Sequence, residues 1–422
     1  MRRIFYCLVV AMFLAACGKL DLPSAPIEEE VNPYAVTPDE AVQLLQTVIG
    51  GESTRAISVG EIKTLRKSDF LPTTRGDEDG DAIYIVDLEN GGSAIMGADK
   101  RMEPIYAILD ETKISPEQLM LTATRSDSDE EDIEDFLLGA LNNAIQMDSR
   151  ALIPTFPEFP RIPRPVYWTE TEIIAQKAPL LRTKWYQTAP FNNNFDPNPL
   201  GGNYYAGCVA IATAQIMYYN RLPNSISGVV FDWSLISQFE FDYPYYQSES
   251  AQIEVANFIY RVAEGVESQY TPQRTLSDIY YAKNLLQLSG YSNVTLSSYA
   301  LLPIRTKVAN NLPVLVQGEA ANSSYGHAWV IDGCDIYEVQ HWVREYQTEL
   351  LYDEYIESRE SHNLLHCNFG EAGKCDGYYS SGVFDMTNMR EEGEYEPDYG
   401  DIQYTGEYDY TLDLQIVTYS LN

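Results

Sequence analysis

Apolar residues recur along this chain with two periods, and the switch between them separates helical from extended stretches. After Thr37-Pro38-Asp39-Glu40, the residues Ala41, Leu44, Leu45 and Val48 fall at helical spacing. Thr37 suits an N-cap, Pro38 the first helical position, and the two acids the positive end of the helix dipole. Gly50-Gly51 closes that helix. Ala82–Leu88 and Gly92–Met96 read as strands around Glu89-Asn90-Gly91, an Asn-Gly hairpin signal. Phe136, Leu137, Leu138 and Leu141 predict another helix, preceded by the acidic run Ser126–Asp132. Prolines at 154, 157, 160, 163 and 165 exclude a helix or a central strand there and predict an extended connector. Beyond it, Cys208–Tyr219 and Glu254–Val266 read as helices, and Val314–Val316, Ala328–Ile331 and Leu412–Val417 as strands. The pattern predicts an α+β fold in two parts: a small α+β unit from residue 34, then a larger α+β domain. The boundary falls near 150–165.

The first residues change the picture of where this chain resides. Met1-Arg2-Arg3 precedes an apolar run from Ile4 to Ala16, too short to span a bilayer and shaped like a secretory signal. It ends Leu14-Ala15-Ala16-Cys17, which resembles a bacterial lipobox, where the Cys thiol receives lipid and becomes the new N-terminus. Residues 1–16 are therefore expected to be a signal peptide, Cys17 the lipidation site, and residues 17–33 a tether. Attachment to a membrane is expected through that lipid only, at the periplasmic or cell-surface face.

The net charge of −34 argues against nucleic acid as a partner. Nine acids and no base follow Arg390 up to Asp413, but no calcium loop is written there, so a solvated acidic face is expected and no metal. Cys7 leaves with the signal and Cys17 takes lipid. Cys208, Cys334, Cys367 and Cys375 remain, and their pairing is open. Only four histidines exist: His327, His341, His362 and His366.

Four segments carry chemistry. In Ala206-Gly207-Cys208-Val209-Ala210, Gly207 permits a tight turn and Cys208 opens an apolar helix. Unpaired amides and the dipole at that end favour a thiolate nucleophile. A buried structural thiol is the alternative. His327 follows Gly326 at the start of an apolar strand, a position for a general base or a structural imidazole. Gln187, after Lys184-Trp185-Tyr186, offers an amide to an oxyanion, and Asn368 lies at a strand end.

The order Gln187, Cys208, His327, Asn368 is the chain order of papain-like peptidases. The local segments resemble the streptopain family: Trp185–Gln187, Gly207–Met217, Gly326–Gly333 and His366–Gly373 stand where it carries W-x-Q, G-C-V-A, G-H-A-x-V-I-D-G and H-x-N-W-G-W-G-G. That resemblance implies a papain-like fold over residues 166–422, with Cys208 and His327 catalytic, Gln187 in the oxyanion hole and Asn368 orienting the imidazole. It implies an endopeptidase acting on protein or peptide substrates with no cofactor. It also implies that residues 34–148 are an inhibitory propeptide bound in cis, with residues 149–165 as the processing linker. Two positions depart from the family. Phe369 stands where a Trp shields the His–Asn contact, and Glu371 where a second Trp walls the cleft.

Two other functions compete: a binding or inhibitor lipoprotein that has lost turnover, and a Cys-dependent acyltransferase with Asp332 as third member. Asp332 lies five residues beyond His327, on the opposite strand face, and is expected to serve a turn with Gly333. The segment Ile336–Asn363, longer than these motifs require, reads as a loop overhanging the cleft or as an exposed excursion, and the exposed excursion is expected.

Overall fold

The computed structural model describes residues 34–50, 58–70, 80–121, 133–151, 165–240, 247–320, 326–347, 351–384 and 412–421. The expected signal and tether with Cys17, the acidic run at 126–132, most of the Pro-rich connector and the acidic stretch after Arg390 lie outside those residues.

In the amino-terminal part, helix α1 (Pro38–Gly50) begins on a capping box. Thr37 Oγ1 accepts from the Glu40 amide at 3.2 Å, and Glu40 Oε2 accepts from the Thr37 amide at 2.7 Å. Strands β1 (Val59–Arg66), β2 (Asp81–Leu88), β3 (Ser93–Gly97) and β4 (Ile105–Leu109) follow as an antiparallel meander. The β2–β3 turn falls on Asn-Gly as expected, with Gly91 at a φ of 102° that a side chain would resist. Helix α2 (Ile133–Ala151) packs Phe136, Leu137, Leu141 and Ile145 into a core with Ile83, Ile85 and Ile95 of this sheet.

The carboxy-terminal part opens with strand β5 (Val166–Lys177) and then places the longer helices α3 (Cys208–Asn220), α4 (Glu249–Gly265) and α5 (Ile279–Leu288). Helix α4 starts five residues before the expected Glu254, because Ser248 Oγ caps it by accepting from the Ala251 amide. Strand β6 (Ser292–Ser298), helix α6 (Leu301–Ala309) and strands β7 (Val314–Ala320), β8 (Gly326–Tyr346), β9 (Tyr352–Asn368), β10 (Gly377–Ser380) and β11 (Leu412–Ser420) complete it. Successive residues of β8 serve two cores, as strand geometry requires. Trp329 and Ile331 join the α2 core, while Ala328 and Val330 join the core around α3.

The segment Ile336–Asn363 is not a loose excursion. It forms the outer reaches of β8 and β9, with β5 laid antiparallel along β8 from Val166↔Arg344 to Lys177↔Cys334. Exposed charged residues along β9 hid this ribbon from a pattern reading. Cys334, Cys367 and Cys375 are buried and remain thiols.

The two parts share one eleven-stranded sheet, in the order β1-β2-β3-β4-β10-β9-β8-β7-β11-β6, with β5 on β8. The junction is β4 against β10, in the register Gly377↔Leu109, Tyr378↔Ile108 and Tyr379↔Ala107. Beside it the Asp110 amide donates to the Asp376 carbonyl at 3.0 Å, and the Cys375 amide to Thr112 Oγ1 at 2.9 Å. Ion pairs Lys184–Glu111 (2.6 Å) and Lys374–Glu134 (3.1 Å) flank it. Phe136 of α2 meets Trp329 edge-on at 6.2 Å.

His366 also bridges the junction, with Nδ1 at 2.7 Å from Asp332 and Nε2 at 3.2 Å from Asp110. Asp332 therefore does not serve a turn. It is fully buried at a bulge in β8, where its carboxylate also accepts from the Leu181 amide at 2.7 Å. Burial alone would lower the His366 imidazole, but the Asp332 charge and the hydrogen bonds to Asp110 and Asp332 hold it well above its ordinary value.

Two outcomes test this arrangement. A Cβ on Gly377 would lie 2.2 Å from the Ile108 carbonyl oxygen. Gly377→Ala should therefore part β10 from β4, costing about 1–3 kcal/mol. Hydrogen exchange should speed up at Ile105–Leu109 while the β2–β3 hairpin keeps its protection. Asp332→Asn should cost about 3–5 kcal/mol in chemical denaturation, because it leaves the buried His366 without its closest anion. A raised histidine pKa stabilises the fold fully below the unfolded value of about 6.5, and that stability is lost as pH rises through the folded pKa. The gap between wild type and Asp332→Asn should thus be widest near pH 6 and narrow toward alkaline pH.

Candidate active site

Helix α3 is apolar on every side and buried from Val209 to Tyr218, so it runs through the core rather than over its surface. Its N-cap, Gly207, has a φ of 94°, and a Cβ there would come within 2.9 Å of Thr275 Cγ2. Only glycine fits both the turn and the close approach. The first helical residue is Cys208, half-buried at the edge of the core.

Gln187 is tied to this turn, since its carbonyl accepts from the Ala206 amide at 2.9 Å. The preceding Trp185 anchors the segment, being buried against Phe191 and Tyr218 with its indole N–H donated to the Phe239 carbonyl at 2.8 Å. Gln187 and Cys208, 21 positions apart in sequence, thus meet at one corner.

His327 comes from the start of β8, directly after the exposed Gly326, and its ring is buried. Its Nε2 lies 2.8 Å from the carbonyl oxygen of Phe369. A carbonyl can only accept, so Nε2 is the donor in this contact. The ring of Phe369 is buried against Trp329, 5.7 Å away. The Phe369 amide donates to Asp376 Oδ1 at 2.8 Å. Burial pushes the Asp376 carboxyl up to about 7 against the pull of that amide.

The Asn368 side chain reaches three groups. Its amide donates to the Thr183 carbonyl at 2.9 Å, and its oxygen accepts from Gln215 at 2.9 Å and from the Gly370 amide at 3.2 Å. Gln215, fully buried on α3, completes this lock between the helix, Thr183 and the end of β9. The acceptor at His327 Nε2 is the backbone of the next residue, a role that no side-chain motif announces.

Gly370, Ala372 and Gly373 all have positive φ, which turns the loop after β9 back over α3. The Ala372 amide donates to the Trp185 carbonyl at 3.1 Å. This turn delivers Glu371, half-buried, to the Gln187 side-chain amide, which donates to its carboxylate. Burial pushes the Cys208 thiol up to about 11. The amides of Ala328, Val209 and Cys208 itself favour the thiolate, and the Glu371 charge opposes it. The contribution of Ala328 puts the neighbour of His327 at the sulfur. Cys208, the strand that carries His327, the Gln187 amide and the Phe369–Glu371 turn therefore converge. Among the described residues, no cluster of side chains suited to a metal ion is present.

Comparison with known proteins bears on the fold. The chain shares its fold with a fragment of prointerpain A from Prevotella intermedia: TM-score 0.51, 17% identity, 85% of this chain and 98% of that one covered. Interpain A cysteine protease from the same organism aligns over 58% of this chain and 95% of its own at 20% identity, with a TM-score of 0.42. No curated protein matches the sequence. The family model of the Peptidase C10 family matches residues 185–379, from the tryptophan before Gln187 to the last residues of β10.

Proposed function

We propose that Cys208 and His327 form the catalytic dyad of a lipid-anchored, exported endopeptidase made as a zymogen. The observation that supports this reading is the hydrogen bond from His327 Nε2 to the Phe369 carbonyl, which orients the ring and assigns the work of the base to Nδ1. In the reaction, Nδ1 takes the Cys208 proton and the thiolate attacks the scissile carbonyl. The oxyanion is received by the Cys208 amide and the Gln187 side-chain amide. His327 then protonates the leaving amine, the C–N bond breaks and a thioester remains. Water, losing a proton to His327, hydrolyses that thioester and frees Cys208. Asn368, through Thr183 and Gln215, keeps the end of β9 rigid under Phe369.

Residues 34–151 act as the inhibitory part in this reading. They are supported in that role by the shared β4–β10 sheet, by α2 packed against Trp329, and by the fold likeness to a pro-form. The Cys208 thiol, held up at about 11, is almost wholly protonated at neutral pH in this state. Export and anchoring rest on residues 1–17, where the apolar run ends on Cys17.

The test is incubation with denatured casein and a thiol-directed epoxide. Wild type should degrade casein and be labelled on Cys208, and Cys208→Ala should do neither and should accumulate at full length. Labelling without cleavage would favour an acyltransferase, and neither would favour a binding protein. Gln187→Ala, which removes one oxyanion donor, should lower kcat by about 10²–10³ while the epoxide still labels Cys208.

A further inference from the structure

We propose that Asp376 is a positioning residue for the base His327, which it orients and supports electrostatically through the backbone of Phe369. The inference rests on the peptidase reading above and deepens it by naming what stands behind the base of that same site.

His327 Nε2 donates to the Phe369 carbonyl at 2.8 Å, so whatever fixes Phe369 also fixes the ring. Two side chains hold that residue from its two ends. The Gly370 amide, which shares a peptide unit with the carbonyl, donates to Asn368 Oδ1 at 3.2 Å. The Phe369 amide donates to Asp376 Oδ1 at 2.8 Å. Asp376 is pinned in turn. Its amide donates to the Gly373 carbonyl at 3.3 Å, and its carbonyl accepts from the Asp110 amide at 3.0 Å. Asn368 and Asp376 both hold geometry, but only Asp376 of the two can carry a charge.

That charge is close enough to matter. Two hydrogen bonds of 2.8 Å and the width of one residue separate Nε2 from Oδ1, which places them at most about 9 Å apart. At an effective dielectric of about 20, opposite unit charges at about 9 Å favour each other roughly twentyfold. Asp376 is buried, so salt screens the attraction weakly. When His327 takes the Cys208 proton it becomes a cation, hydrogen-bonded to a residue whose other end meets this carboxyl. An ionised Asp376 therefore lowers the cost of the thiolate–imidazolium pair, and a protonated one does not.

Burial pushes the Asp376 carboxyl up to about 7, and the Asp332 and Asp110 carboxylates add to the rise. The Phe369 amide and the charge of His366 pull the other way. Asp110 reaches Asp376 from the amino-terminal part, Asp332 from β8 and His366 from β9. The Cys367 thiol and the Tyr379 hydroxyl also face it, and both are held well above their ordinary values, so they stay neutral. His366, itself held well above its ordinary value, stays charged while Asp376 titrates. At neutral pH the joined chain thus divides Asp376 between its two forms. Departure of the amino-terminal part would remove Asp110 and admit water, and both changes favour the anion. In the zymogen reading, that release charges the support of the base.

The test uses the full chain once it has processed itself, with fluorescent casein as substrate and the thiol-directed epoxide as the probe of Cys208. Asp376→Asn keeps an oxygen for the Phe369 amide and removes the charge. The ratio of wild type to Asp376→Asn, in kcat and in the rate of Cys208 labelling, should approach one in acid and reach roughly ten- to twentyfold by about pH 8. KM should change by less than about twofold, because the charge acts on the base and not on substrate binding. Should Asp376→Asn fail to fold, Asp376→Glu replaces it, since a longer arm keeps the charge and moves its titration. The ratio of wild type to Asp376→Glu should then vary with pH where the two carboxyls titrate, and a constant ratio would overturn the proposal. An Asp376→Asn loss equal at acid and alkaline pH, or one carried by KM, would also overturn it, with Cys208 still labelled and the peptidase reading intact. Wild type that neither cleaves casein nor is labelled on Cys208 would remove the peptidase reading and this inference together.

Discussion

The pairing of β4 with β10 is the constraint on which the described state of this molecule depends. Neither strand belongs to the same part of the chain, yet their backbone hydrogen bonds make one sheet of two. Once that edge is joined, the rest follows from burial. Helix α2 must cover an apolar face, and the face available holds Trp329, Phe369, Tyr379 and Phe384 as well as the residues of its own meander. An edge strand left open would present unpaired amides and carbonyls, so the junction removes a liability from both parts. The same contact fixes the chain from Gly370 to Asp376, because Asp376 and Cys375 are bonded to Asp110 and Thr112.

The site shows a contest between groups that favour a thiolate and groups that oppose it. The start of α3 and three backbone amides pull the Cys208 thiol toward ionisation, while burial and the Glu371 carboxylate push the other way. Burial wins, and the thiol ends near 11. An aromatic residue at 371 would add apolar wall without charge. Glutamate instead gives the Gln187 side-chain amide an acceptor, so that amide is already engaged. The turn after β9 thus bears on His327, Cys208 and Gln187 at once.

Much of this was legible in local sequence. The capping box of α1, the Asn-Gly hairpin and the helix opening at Cys208 are short-range features, set by residues within a few positions of one another. The order of Gln187, Cys208, His327 and Asn368 pointed to a constellation, and Gln187 and Cys208 do meet at one corner. What stayed hidden was long-range or carried by backbone. His366 and Asp332 are 34 residues apart, so the pair had no spacing to betray it, and the lone apolar context of Asp332 suggested a turn. The acceptor for His327 is a carbonyl, which every residue has. The β8–β9–β5 ribbon alternates poorly because β9 exposes residues on both faces along Tyr352–Ser361, and a strand of that kind reads as loop.

The shared sheet and core carry a consequence for how latency would end. A cut between α2 and β5 breaks one covalent bond but leaves β4 on β10, α2 on Trp329 and His366 between its two aspartates. The severed halves would remain a complex, and its population would be set by mass action rather than by the cut. Dilution would favour separation and crowding at a surface would oppose it. In the zymogen reading proposed above, the cut would set the timing of activation, and the local concentration of the released part would set its extent.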